Sequence, residues 1–171
     1  TCDGNLEYKQ IFQDNMKTKS EPIIKPGKKS YTKITFWPDF QKLDMNCIDS
    51  DAYSVLLKRV YDTVVCTDKR VSVYFNGDKL QQKTIKNYMG LYSSNKYEIF
   101  NVNDGKGIIW DIGVGLSTDG FNQVSFCNGI ATPQGGKHVD YVLNQLTKKL
   151  AEQICSKKKI KEVKAQYIKD S

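Results

Sequence analysis

Ser125-Phe-Cys-Asn-Gly-Ile-Ala-Thr-Pro-Gln-Gly-Gly-Lys-His-Val-Asp-Tyr141 is the stretch on which the reading of this chain turns. It begins in a β-rich segment, crosses Pro133, Gly135 and Gly136, and enters a run with a different period. Val139, Val142, Leu143, Leu146, Leu150 and Ile154 recur at helical spacing and predict a helix over 138–156. Two glycines just before a long helix suit a strand-to-helix turn with backbone angles that other residues avoid. Exposed N–H groups there could also receive an anion. Upstream, residues 97–103, 107–117 and 121–127 read as three strands, joined by Asp104-Gly-Lys-Gly107 and Ser117-Thr-Asp-Gly120.

Further out the pattern continues to alternate. Residues 84–94 predict a short helix. Val71, Val73 and Phe75 alternate into Asn76-Gly77, a tight hairpin turn. Residues 49–66 predict a helix capped by Asp49 or Ser50, with Tyr53, Leu56, Leu57, Val60 and Val64 on one stripe. Residues 31–37 alternate as a strand that Pro38-Asp39 stops, and 20–30 read as a turn or edge segment. Periodicity leaves 6–16 open between helix and strand. The mixture is α/β (α+β), with a first half to about Leu80 and a second half beyond it.

Of the 171 residues 39% are hydrophobic and 26% charged, an ordinary globular balance. No apolar run approaches the roughly 18 residues of a spanning helix, so no membrane partner is expected. The chain opens on Thr1 without a basic-then-apolar leader, and reads as a trimmed or excised piece. The net charge is +7, and residues 137–171 hold nine lysines against four acids. Such a local excess attracts a polyanion, although a solvated helix face with a frayed Lys-rich end has the same composition. The five cysteines have no metal-ligand spacing and read as free thiols of a reducing compartment. His138 is the only histidine, which excludes a multi-histidine metal site.

No local pattern is a catalytic constellation. A phosphate loop would need glycine where Ala131 stands and a hydroxyl where His138 stands. Gly105, Gly107, Gly113 and Gly115 lack the third glycine of a dinucleotide fingerprint. Asp39, Asp49 and Asp51 fit turn and capping roles.

The stretch 125–141 resembles the Ser-Phe-Val-Asn-Ser-Ile-Ala-Thr-x-x-Gly-Gly-x-His-Val segment of eukaryotic type II DNA topoisomerases. Further matches keep that family's order: Tyr8-Lys9-Gln10 with Asp14-Asn15-Met16, Thr32-x-Ile34-Thr35-Phe36-x-Pro38-Asp39, Arg59-x-Tyr61-Asp62, Phe75-Asn76-Gly77-x-Lys79-Leu80 and Ala165-Gln166-x-Ile168-Lys169. Cys127 stands where the family usually has Val, and Gly129 where it has Ser or Asn. The resemblance covers essentially the whole chain. It implies that 1–80 is the C-terminal portion of a GHKL (Bergerat-type) ATPase domain, a partial sandwich. It implies that 81–171 is an incomplete transducer domain resembling domain 2 of the fifth small-subunit ribosomal protein. It also makes 6–16 extended.

The implied function is that of a fragment of an ATP-dependent type II topoisomerase, relaying ATP binding to the DNA-cleavage core during duplex passage. The helix over 138–156, lying on a sheet of 97–127, would be the stiff body of that relay. ATP and Mg2+ are the implied cofactors of the parent enzyme, with none expected on this stretch. The Mg-binding Asn, the catalytic Glu and the glycine-rich lid are expected upstream, and the Gln-Thr-Lys loop downstream of Ser171, so no catalytic or metal-binding residue is assigned here. Thr32 matches a threonine bordering the adenine pocket. Lys157, Lys158 and Lys159 match a Lys-rich loop that touches duplex DNA without sequence preference, while Gly135 and Gly136 are held as a structural turn. The implied partners are double-stranded DNA, the rest of the topoisomerase chain and a second copy in the full-length dimer; the implied location is the nucleus. The piece itself is expected to be monomeric and inactive alone. The alternative is a stand-alone, non-enzymatic basic module that binds nucleic acid. A mismatch-repair or chaperone relative of the same ATPase fold is disfavoured by Phe-x-Pro-Asp occurring together with Gly-Gly-x-His-Val-Asp.

Overall fold

A computed structural model describes residues 1–94, 96–105, 107–118, 120–159 and 161–169. Lys106 and Asp119, within two of the predicted turns, lie outside the described residues. The chain forms two compact units, Thr1–Cys47 and Ile48–Ser171.

In the first unit β1 (Leu6–Lys9) pairs antiparallel with β4 (Ile23–Pro26), Leu6 opposite Pro26 and Lys9 opposite Ile23. Between them β2 (Phe12–Gln13) and β3 (Thr18–Lys19) form a smaller hairpin. Its turn holds Asp14, Asn15 and Met16 at φ of 51°, 55° and 70°. Asp and Asn accept that region because their short polar side chains bond locally; the Asp14 carboxylate accepts from Thr18 Oγ1 at 2.9 Å. The segment 6–16 is therefore extended at β1 and β2. Cys2 is buried to 3% exposure, and its N–H donates to Tyr31 O at 2.8 Å while its O accepts from Tyr31 N at 3.0 Å. A side chain at Gly27 would collide with the Cys2 sulfur, so glycine is required there.

The predicted strand over 31–37 does not form. Tyr31 bridges Cys2, and 32–39 follow without a ladder. Alternation supplies an apolar face, but a strand also needs a neighbour for its N–H and C=O groups. Among the described residues no strand pairs with this segment. Ile34, Phe36 and Trp37 stay 82%, 74% and 84% exposed.

In the second unit α1 (Ser50–Cys66) starts where Asp49 accepts from Ala52 N at 2.8 Å. The hairpin of β5 (Tyr74–Phe75) and β6 (Asp78–Lys79) turns on Asn76-Gly77, both at positive φ. The helix α2 (Ile85–Met89) is capped by Thr84, whose Oγ1 accepts from Asn87 N, and ends sooner than the predicted 84–94, passing into turns in which Tyr92 N and Ser93 N both bond Met89 O. A full ladder joins β7 (Tyr97–Asn103) to β8 (Ile109–Gly115), Tyr97 opposite Gly115 and Asn103 opposite Ile109. Then come β9 (Phe126–Cys127), β10 (Ile130–Ala131), α3 (Lys137–Lys158) and α4 (Ala165–Lys169).

Two expectations about this unit are corrected. The third strand shrinks to Phe126–Cys127 and pairs with Ile130–Ala131 across Asn128-Gly129, instead of extending the β7–β8 ladder. Asn-Gly is a strong hairpin signal, and it wins locally over a long strand. The helix packed on β7 and β8 is α2, not α3. Gly113 makes that approach possible: a Cβ there would lie 2.7 Å from Met89 Cγ. On α3, Tyr141 stacks on Trp110 of β8 with ring centres 5.8 Å apart, while the helix packs along α4.

Candidate functional site

The glycine turn is the part of the signature stretch with the most defined geometry. Gly135 and Gly136 have φ of 73° and 146°, and Gly136 is the residue before the first turn of α3. A Cβ on Gly136 would meet the His138 ring at 3.2 Å. Around this turn Ser125 Oγ lies 2.6 Å from Thr132 Oγ1, which lies 3.1 Å from His138 Nε2. Gln123 Nε2 donates to Pro133 O at 2.9 Å. A hydroxyl next to an imidazole has the look of a nucleophile and its base, yet Ser125 and Thr132 are spent on each other. The Thr132 backbone also accepts from Ser125 Oγ at 3.1 Å. The cluster staples a hairpin to the start of a helix.

At the other end of α3, Lys157 and Lys158 occupy the last turn and Lys159 follows with φ of 55°. Its backbone N–H bonds Cys155 O, closing the helix, and all three side chains are exposed. Cations suit the negative end of the helix dipole. Among the described residues no ion pair falls on α3: the pairs join Glu7 to Lys25, Asp62 to Lys58 and Arg59, and Asp68 to Arg70. Among the described residues this lysine run is therefore a block of exposed positive charge with no carboxylate paired to it.

Thr32 lies in the first unit and is exposed, its Oγ1 3.2 Å from Thr1 Oγ1. A nucleotide with its magnesium ion demands more than one hydroxyl. Among the described residues no three His, Cys, Asp or Glu side chains converge to hold a metal. The residues present do not by themselves fit the nucleotide.

Sequence reading missed a buried polar clamp between α1 and α2. Asp62 is 5% exposed and Tyr88 2%. Tyr88 Oη donates to Asp62 Oδ1 at 2.6 Å, and Lys58 Nζ reaches both carboxylate oxygens at 3.0 and 2.9 Å. Arg59 stands 3.7 Å away, and Tyr92 Oη lies 3.0 Å from Tyr88 Oη. Burial, then the bond to the carboxylate, pushes the Tyr88 phenol well above the ordinary tyrosine value. Burial, with the nearby Asp62 charge, also raises the Cys66 thiol. The available signal was Asp62 itself, an acid four residues after Lys58 on a predicted helix.

Comparison with known proteins places the molecule. The family model described as DNA gyrase B matches residues 71–171. The chain belongs to the DNA gyrase B family. Over nearly its whole length it is similar to eukaryotic type II topoisomerases. It is 40% identical over 184 residues to DNA topoisomerase 2 of Arabidopsis thaliana, covering 99% of this chain and 12% of that protein. It is 37% identical over 158 residues to DNA topoisomerase 2-alpha of Homo sapiens, covering 89% of this chain and 10% of the relative. The chain thus spans about an eighth of the length of such relatives. In three dimensions it matches the crystal structure of the ATPase region of Saccharomyces cerevisiae topoisomerase II with a TM-score of 0.81 and 35% identity, covering 97% of this chain and 42% of that one. The α+β fold is that of this ATPase region.

Proposed function

We propose that the chain works as part of an ATP-dependent type II DNA topoisomerase, passing the state of a nucleotide site to a DNA-cleavage core. The observation that carries this reading is the match of 97% of the chain to an ATPase region at a TM-score of 0.81. On this reading residues 1–80 belong to the nucleotide-binding domain, with Thr32 at the border of its adenine pocket. Residues 81–171 belong to the transducer, in keeping with the family match over 71–171. ATP with Mg2+ would supply the driving energy in the parent enzyme, which acts as a nuclear homodimer on duplex DNA. Two features suit a relay. Met89 seated over Gly113 holds α2 against the β7–β8 ladder, and the Asp62–Tyr88 bond ties α1, in the proposed first domain, to α2, in the second. A push on α1 would then reach the ladder through bonded groups rather than through a loop.

Lys157, Lys158 and Lys159 are the proposed DNA contact, and they bind phosphate rather than base edges. Each neutralised phosphate contributes about 0.9 to the slope of log affinity against log salt. Replacing all three with alanine lowers that slope by about 2 to 3 on random-sequence duplex DNA. An unchanged slope, measured by anisotropy across a salt series, overturns the assignment.

A further inference from the structure

The polar face of α3 carries a feature that the lysine run does not account for. Gln145, Lys149, Gln153 and Ser156 fall within an arc of about 80° on a helix of 3.6 residues per turn, with Lys157 beside them. All five are exposed. Lys149, Gln153, Ser156 and Lys157 line one open recess of about 450 Å3, with Glu152 at its edge. Gln145 is oriented by a bond from its Nε2 to Tyr141 O at 3.1 Å. The recess ends where the exposed Lys157–Lys159 run begins.

These residue types share one competence. Lys, Gln and Ser side chains donate hydrogen bonds to phosphate oxygens, and they fix a duplex in register without reading its sequence. Among the described residues no carboxylate pairs with Lys149 or Lys157. From Lys149 to Lys157 the helix rises about 12 Å, and from Gln145 about 18 Å. A single loop contact would need only the terminal lysines. A stripe of donors running back along the helix suits a backbone that lies along it.

We infer that α3 is a phosphate rail: Lys149, with Gln145, Gln153 and Ser156, holds the DNA backbone upstream of the lysine run, so that the duplex follows the helix instead of touching only its end. The inference rests on the proposed DNA contact at Lys157–Lys159 and extends it. Glu152 sets the rail's edge, since a carboxylate there repels a phosphate that strays toward it.

Random-sequence duplex DNA and the full chain test this. Lys149→Ala lowers the salt slope by about 0.9, the loss of one phosphate contact. Lys149→Arg keeps the slope, because arginine also binds phosphate. Gln153→Glu weakens binding at low salt, since it places a negative charge within the stripe. Lys42→Ala, an exposed lysine of the other unit, leaves the slope unchanged. If Lys149→Ala keeps the wild-type slope while the triple alanine variant at 157–159 loses it, the rail is wrong and the lysine-run contact stands. If neither variant moves the slope, both fail. If Lys42→Ala lowers it as much as Lys149→Ala, the effect is total charge and the rail is overturned. Alanine and arginine both favour helix, so far-ultraviolet circular dichroism stays unchanged in the Lys149 variants.

Discussion

Lys58 on α1 and Lys157 on α3 are the same residue type on helices of similar length, and they are used in opposite ways. Lys58 keeps 45% of its side chain exposed but commits its ammonium group to the buried Asp62, which also accepts from Tyr88. Lys157 stands exposed beside Lys158 and Lys159, with no ion pair to them among the described residues. The difference lies in the partner's burial. A carboxylate at 5% exposure cannot be left to water and must be matched by donors. A lysine exposed beside other lysines faces no such demand and keeps its hydrated charge at the surface. Lysine therefore serves cohesion in one region and, on the proposed function, recognition in the other, and composition treats the two alike.

Three variants sharpen that contrast. The largest effect is expected at the clamp. Asp62→Ala strands the Tyr88 hydroxyl against Tyr92 and frees Lys58, destabilising the fold by about 3 kcal/mol in urea unfolding. The same site has a pH signature. The Tyr88 proton is bound more tightly in the folded chain, so its stabilising contribution is complete below the ordinary tyrosine value and declines as pH rises above it. Absorbance titration should show the Tyr88 phenol resisting ionisation above the ordinary tyrosine value, and Asp62→Ala should make it titrate earlier. A cap has an intermediate effect: Asp49→Ala removes the acceptor for Ala52 N and costs about 1 kcal/mol in the same unfolding experiment. The smallest effect falls on the lysine run. The triple alanine variant at 157–159 changes stability by less than about 0.5 kcal/mol while lowering the salt slope of DNA binding. A stability loss there as large as at Asp62 would erase the distinction between the two regions.

The contrast also marks where pattern reading succeeds. A cap at Asp49 or Ser50 before α1, Asn76-Gly77 between β5 and β6, and the 3.6-residue row of α3 are decided within a few residues of chain, so the sequence alone determined them, leaving the structure only to choose Asp49. The same holds for the signature from Ser125 to Tyr141 and for the family, which depends on residue identities in order. The structure decided whatever required a second segment. Residues 31–37 alternate as well as 97–103 do, but only 97–103 find a partner strand, because a ladder's hydrogen bonds belong to two segments at once. Residues 121–125 lost their strand to the nearer turn at Asn128-Gly129. The Asp62–Tyr88 bond joins residues 26 positions apart, and no local period announces it. Local geometry is written in neighbouring residues; burial and pairing arise only when distant parts of the chain meet, which is why tertiary structure alone settled which strands formed and that Lys58 is drawn to a buried carboxylate.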